Sequence, residues 1–223
     1  MADCLEVVSR KNLRAILQAK LEATVTTAYL DASSNTLLIA EYPAFWPMSG
    51  IVQLLLNGIE PVYFASGWGS TTLIISRTQP TNIDPGAAVT LYSNTPSRIF
   101  CGVKDLAISD DFFNALVSKG PAIQIRWAGR AKQDYQGHFV YVVPIRIYYG
   151  YARNEDNDGF AIENLNSLIF QTVADRSNYI GATKGPPPAS DGVEYPEYLE
   201  DTENETGVCV RYEMRVPFDG ATN

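Results

Sequence analysis

Apolar and polar positions alternate most regularly between residues 120 and 151, GPAIQIRWAGRAKQDYQGHFVYVVPIRIYYGY. Ile123, Ile125 and Trp127 set against Gln124 and Arg126 make one arm, and Phe139, Tyr141, Val143, Ile145, Ile147 and Tyr149 share one face of the other. A period of two sends successive side chains to opposite faces of a strand, so the stretch predicts a long antiparallel hairpin. Its aromatic and β-branched residues suit a pleated, half-buried surface whose apolar face needs a cover. The cover is expected just downstream, as a helix over 160–175 with Ile162, Leu165, Leu168, Ile169 and Val173 on one stripe.

The remaining pattern divides into helix-like and strand-like stretches. Leu13, Ile16, Leu17 and Leu21 fall at one-face helical spacing and predict a helix over about 3–25, with Asp3 as N-cap and Arg10, Lys11, Arg14 and Lys20 mostly off the stripe, as a solvated face or, alternatively, a contact with an acidic neighbour or DNA backbone. From Thr24 the chain turns to short runs, TVTTAYL, NTLLIAEY, GIVQLLLNGIEPVYFASG, TTLIISRT and AAVTLYS. Asn57-Gly58 is the strongest hairpin signal, Asp84-Pro85-Gly86 marks another turn, and short strands at this spacing predict a small barrel or sandwich. The aromatics Tyr42, Phe45 and Trp46 fit its core better than a ligand platform. A connector around Thr95-Pro96-Ser97 separates this module from a second short helix, 110–118, capped by Ser109 and stopped by Gly120-Pro121. The final run, VCVRYEMRVPF, alternates again as a strand.

The expected architecture is therefore α+β. Residues 1–97 hold an N-terminal helix and a small antiparallel β-barrel or sandwich. Residues 98–223 hold an antiparallel sheet covered by two helices, with an acidic, Pro-rich insertion at 179–207 read as an extended arm or mobile insertion.

Charge sharpens that division. The net charge is −8, and Asp191, Glu194, Glu197, Glu200, Asp201, Glu203 and Glu205 carry nearly all of the excess without an intervening Lys or Arg. An acidic balance of this kind lacks the clustered cations of general nucleic-acid binding. Cys4, Cys101 and Cys209 are odd in number and far apart, which predicts buried free thiols rather than a disulfide framework or metal knuckle. No apolar run approaches a bilayer span and the N-terminus carries charges where a signal peptide is hydrophobic, so a soluble protein made in a cytosol is expected.

Candidate chemistry is sparse. His138 is the single histidine, without a partner at triad or zinc spacing. Residues 154–159, NEDNDG, resemble the start of a calcium loop, but the twelfth position is Leu165 and Glu163 comes two residues early, leaving a polar turn with Asp158 as helix cap. Gly67-Trp68-Gly69-Ser70 has neither the lysine of a phosphate loop nor the bracketed serine of a nucleophile elbow. The expectation is a protein with no catalytic residues, no cofactor and no metal.

The succession FFNALVSKGPAIQIRWAGR, HFVYVVPIRIYYGY and ENLNSLIFQTV, a helix running through Gly-Pro into a strand and then a long strand followed by an amphipathic helix, resembles the tail-terminator proteins of long-tailed bacteriophages, in particular the small tail-completion proteins of Mu-like phages. The N-terminal run IVQLLLNGIEPVYFASGWGSTTLIISRTQPTNIDPGAAVTLYS is similar to a β-module that recurs in phage neck and tail proteins. The added N-terminal module and the acidic insertion depart from a minimal terminator, so a connector or stopper ring remains an alternative position in the neck. Another tail or baseplate protein, or a receptor- or glycan-binding β-module, is the alternative function.

The resemblance implies a non-enzymatic virion protein, assembled in the host bacterial cytoplasm. It implies a ring, a hexamer, that ends the tail tube and joins it to the head. Partners would be further copies of the chain, the tail tube and sheath protein, and a head connector or stopper, with DNA passing through the lumen without sequence-specific binding and no membrane involved. Subunit and partner contacts are then expected at Arg126, Arg130 and Arg146, at Pro144 where the strand loses a ladder donor, and at Tyr195, Tyr198 and Glu200 in the insertion.

Overall fold

The computed structural model describes residues 5–77, 81–92, 97–102, 111, 114–116, 120–127, 132–133, 139–152, 159–180, 186–189, 192–203, 205 and 207–219. The chain forms two compact units. One, the barrel unit, comprises residues 18–98 and 118–120; the other, the sheet unit, comprises 1–17, 99–117 and 121–223. The division falls after Arg98, one residue beyond the expected 97, and it cuts the first helix, so that most of that helix belongs with the C-terminal residues.

That helix, α1, spans Leu5–Leu21. Its stripe is as the spacing predicts: Leu13, Ile16, Leu17 and Leu21 are all buried. It ends earlier than expected because Thr24, Val25 and Thr26 favour extended backbone, and Ala23–Val25 is strand β1. The expected cap Asp3 lies outside the described residues.

In the barrel unit, β1 is followed by β2 (Thr36–Leu38), β3 (Val52–Leu56), β4 (Glu60–Ser66), β5 (Thr72–Arg77) and β6 (Ala88–Leu91). The sheet order is β1-β6-β3-β4-β5-β2. Its two edges then meet: Thr26 bridges Ile39, Thr27 N–H donates to Leu38 O at 3.0 Å and Ala40 N–H to Val25 O at 2.9 Å. This single bridge joins the two ends of a curled, half-barrel sheet, which favours the barrel over the sandwich. Leu37, Val52, Leu54, Leu56, Phe64 and Val89 fill the interior with Trp46. Phe45 and Trp46 are fully buried, and Tyr42 packs edge-on against Trp46 at 5.4 Å between ring centroids, so the cluster is core.

Turn chemistry closes the barrel's ends. Asn57 sits at φ 51, a conformation Asn tolerates, and holds Ala88 from both sides: its N–H donates to Ala88 O at 2.8 Å and its Oδ1 accepts from Ala88 N–H at 3.0 Å. Buried Thr26 clasps the Asp84-Pro85-Gly86 turn, its hydroxyl donating to Asp84 O at 2.9 Å and accepting from Ala87 N–H at 3.0 Å. Gly67, at φ 89, admits no side chain, since a Cβ there would lie 2.5 Å from Thr72 O.

The sheet unit contains β7 (Ile99–Gly102), β8 (Ala122–Arg126), β9 (Lys132–Gln133), β10 (Phe139–Ala152), a second full helix α2 (Phe160–Ala174), β11 (Glu197–Glu203) and β12 (Gly207–Asp219). Strand order is β11-β12-β10-β8-β7, with β9 pairing β10 beyond β8. The predicted hairpin is present, Ile145 opposite Ile125 and Ile147 opposite Ile123, and the final strand joins β10 in a ladder running from Val140–Asp219 to Ala152–Gly207. β7 pairs β8 in parallel.

Candidate functional site

The sheet unit has two faces of different character. On one, Val143, Ile145, Ile147 and Tyr149 of β10 and Met214, Val216 and Phe218 of β12 are buried, together with Ile162, Ile169 and Val173 of α2. Asn166 is buried as well because the Tyr149 hydroxyl donates to its Oδ1 at 2.8 Å. The helix presents 162, 166, 169 and 173; at 100° per residue Leu168 falls about 120° away from that line. It is accordingly 46% exposed, against its expected place in the stripe. Gly159, at φ 79, is the helix N-cap and makes no side-chain cap bond, in place of the expected Asp158, which lies outside the described residues.

The other face is part apolar and part charged. Leu116, Ala122, Tyr148 and Cys209 form a small core there, with the Tyr148 hydroxyl donating to Gln124 Oε1 at 3.0 Å. Leu116 belongs to the second predicted short helix, of which Asp111 and residues 114–116 are described, all helical. Along β12, Arg211, Glu213 and Arg215 point to this side in alternation. Glu213 accepts from Arg146 Nε at 3.1 Å and from Arg215 Nε at 3.3 Å, and Arg211 pairs with Glu200.

The expected contact residues are thereby placed. Arg126 and Arg146 share the charged face, and Arg146 is held by Glu213 with only 15% of its side chain exposed. Pro144 lies in an internal strand opposite Arg215, not at an edge. Its missing N–H falls where β10 leaves β8 for β9: Ile145 opposes Ile125, whereas Phe139 opposes Gln133, a change of register by two. Tyr195 donates to Glu163 O at 3.3 Å and packs on Phe170 of α2, Tyr198 packs edge-on against Tyr212 at 6.0 Å, and Glu200 pairs with Arg211. Arg130, His138 and the 154–158 portion of the calcium-like loop lie outside the described residues.

These contacts correct the reading of the acidic insertion. Its second half is not a loose arm: Ala189 N–H donates to Pro217 O at 2.9 Å, Glu194 N–H to Arg215 O at 3.1 Å, and Glu197–Glu203 forms β11 along β12. Composition argued against a core, but ladder bonds join backbone to backbone and ask little of side chains. Pro217 itself packs against Gly192, where a Cβ would lie 2.5 Å from its ring. Between this segment and the end of α2 lies a groove of about 530 Å³ lined by Phe170, Ala174, Arg176, Pro188, Val193 and Glu194.

No protein-family model matches the chain, and no curated protein matches its sequence. Its chemistry is therefore read from geometry alone. Among the described residues no group of His, Cys, Asp and Glu is arranged to hold a metal, and no helix is long and apolar enough to cross a membrane.

Two further residues depart from their expected places. Arg10, assigned to a solvated face, is half-buried and donates to the carbonyls of Gly102 and Ile125, each at 3.3 Å, tying α1 to the β7–β8 side of the sheet. Trp127 is 53% exposed because β8 stops at Arg126, one residue before the alternation would turn it inward.

The thiols also differ: Cys209 is buried, as expected, whereas Cys101 is exposed. Burial pushes the Cys209 thiol up to about 11. At pH 7.5 its thiolate fraction is then roughly one in three thousand. Iodoacetamide at that pH is expected to modify Cys101 while leaving Cys209 intact until denaturant is added, as read by peptide mass spectrometry; early alkylation of Cys209 would contradict its placement.

Proposed function

We propose that the protein is a non-enzymatic structural component of a bacteriophage neck. It assembles as a ring, a hexamer, that ends the tail tube and joins it to the head, with the virion as its location. The observation that carries this reading is the sheet unit's open edge. The edges of the barrel's sheet meet through the Thr26–Ile39 bridge, whereas among the described residues the larger sheet ends in β11, whose residues are all exposed except the half-buried Thr202. A monomeric protein protects such an edge by covering it, shortening it or lining it with charge, as the carboxylates of β11 do against self-pairing, while a ring subunit has it completed by a different surface of the next copy.

A glycan-binding reading requires an open aromatic groove around Tyr42 and Trp46, and Trp46 is fully buried. The test is mass photometry and negative-stain electron microscopy of the purified chain, alone and mixed with tail tubes. Six-fold rings, or conversion to them on mixing, are expected. A chain that stays monomeric beside both tail tube and head connector would refute the ring.

A further inference from the structure

We propose that the acidic edge strand β11 of one copy docks against the basic α1–β7 flank of the next, making a head-to-tail contact between opposite edges of the sheet unit. The inference rests on the ring reading above and names its interface. β11 is the terminal strand on one side of the sheet and β7 the terminal strand on the other. Glu197 and Asp201 on β11 are exposed, and beside them Tyr198 is 56% and Leu199 41% exposed, so the edge offers apolar area together with charge.

The opposite flank is cationic. Arg10 is bonded to the carbonyl of Gly102 at the end of β7, and its own carbonyl accepts from the Cys101 thiol at 3.9 Å. Arg14 and Lys11 are exposed one helical turn apart. All of these residues belong to the same compact unit.

Charge decides the occupant. A row of carboxylates on an edge strand repels an identical edge, so a two-fold pairing of β11 with β11 is disfavoured. Within one chain the two edges are four strand spacings apart, roughly 19 Å. That exceeds the screening length of about 8 Å at physiological salt, so they do not neutralise one another internally. Between copies they do. A contact joining two different patches is heterologous, and repeated around an axis it closes into a ring.

The test uses two charge-reversed full-length chains. One carries Glu197→Lys and Asp201→Lys, which cancels the net negative charge of β11 and sets two cations on it; the other carries Lys11→Glu and Arg14→Glu, which reverses the two exposed cations of the α1 flank. Each alone is expected to need at least a tenfold higher concentration for ring assembly by mass photometry, and an equimolar mixture is expected to restore rings in which the two chains alternate. Wild-type rings should also loosen as salt rises from about 0.05 to about 0.5 M. If wild-type rings form but ignore both reversals, this interface is wrong and the ring reading stands. If the wild type never forms rings, the ring reading fails and this inference with it. Should a reversed chain not fold, judged by circular dichroism, the salt response of wild-type rings decides: rings indifferent to salt overturn the proposal.

Discussion

Trp46→Ala is expected to destabilise the barrel unit by about 3–5 kcal/mol. Trp46 is fully buried at the centre of the interior, its ring centroid 5.4 Å from that of Tyr42 and 6.3 Å from that of Phe64. Its indole N–H donates to Glu22 O at 2.8 Å. Truncation therefore removes the largest core side chain, two aromatic contacts and a buried hydrogen bond, and the closed sheet around it cannot collapse to refill the space. Trp46→Phe keeps most of the volume and loses the donor, so its cost should be nearer 1–3 kcal/mol. Urea titration gives the two values, and hydrogen exchange of the β3 and β4 peptides shows whether the loss lies in the barrel. Equal costs for the two variants would mean that the hydrogen bond, not the ring, dominates.

The same residue shows what the sequence made legible. Tyr42, Phe45 and Trp46 were assignable to the core because aromatics surrounded by short β-like runs have nowhere better to go. Barrel closure was not, since it depends on β1 meeting β2 through the Thr26–Ile39 bridge, a contact that neither strand's pattern encodes. In the sheet unit, alternation identified β10 and β12, and helical spacing identified α2. Leu168 was misplaced because four of the five apolar positions of that helix define a wide stripe, and the line of closest approach was fixed by Asn166, whose polarity hid its burial.

The candidate site was less legible still. Arg211, Glu213 and Arg215 recur at every second position of VCVRYEMRVPF, which signals a charged strand face, but their partners Arg146 and Glu200 come from strands far away in sequence. The acidic insertion read as unstructured because composition records the cost of burying carboxylates and says nothing of an exposed edge, where they remain solvated while the backbone pairs. Arg10 has the sequence pattern of a surface cation because its acceptors, the carbonyls of Gly102 and Ile125, are tertiary.

Glu22→Ala is expected to cost about 3–5 kcal/mol, because it removes one partner from a buried charged pair and leaves the other behind. Glu22 is 5% exposed, at the junction of α1 and β1, where its backbone N–H still donates to Gln18 O at 2.9 Å. Its carboxylate accepts from the Ser97 hydroxyl at 2.8 Å and from Arg98 N–H at 2.9 Å, while Gln18 donates to the same hydroxyl at 2.7 Å. The Arg98 guanidinium donates to Gly120 O at 2.6 Å; burial lowers its pKa and Glu22 acts to raise it. Without Glu22 that cation has lost its compensating charge and the Ser97 and Arg98 donors lose their acceptor. Glu22→Gln, which keeps an acceptor but not the charge, should fall between alanine and wild type. The double variant Glu22→Leu with Arg98→Met should recover most of the loss, since two apolar groups of similar bulk carry no desolvation debt. Urea unfolding of wild type, Glu22→Leu, Arg98→Met and the double variant forms a double-mutant cycle. A double variant as unstable as the sum of its singles would show that Glu22 and Arg98 act independently, and that Glu22 matters mainly as the acceptor joining Ser97 to the end of α1.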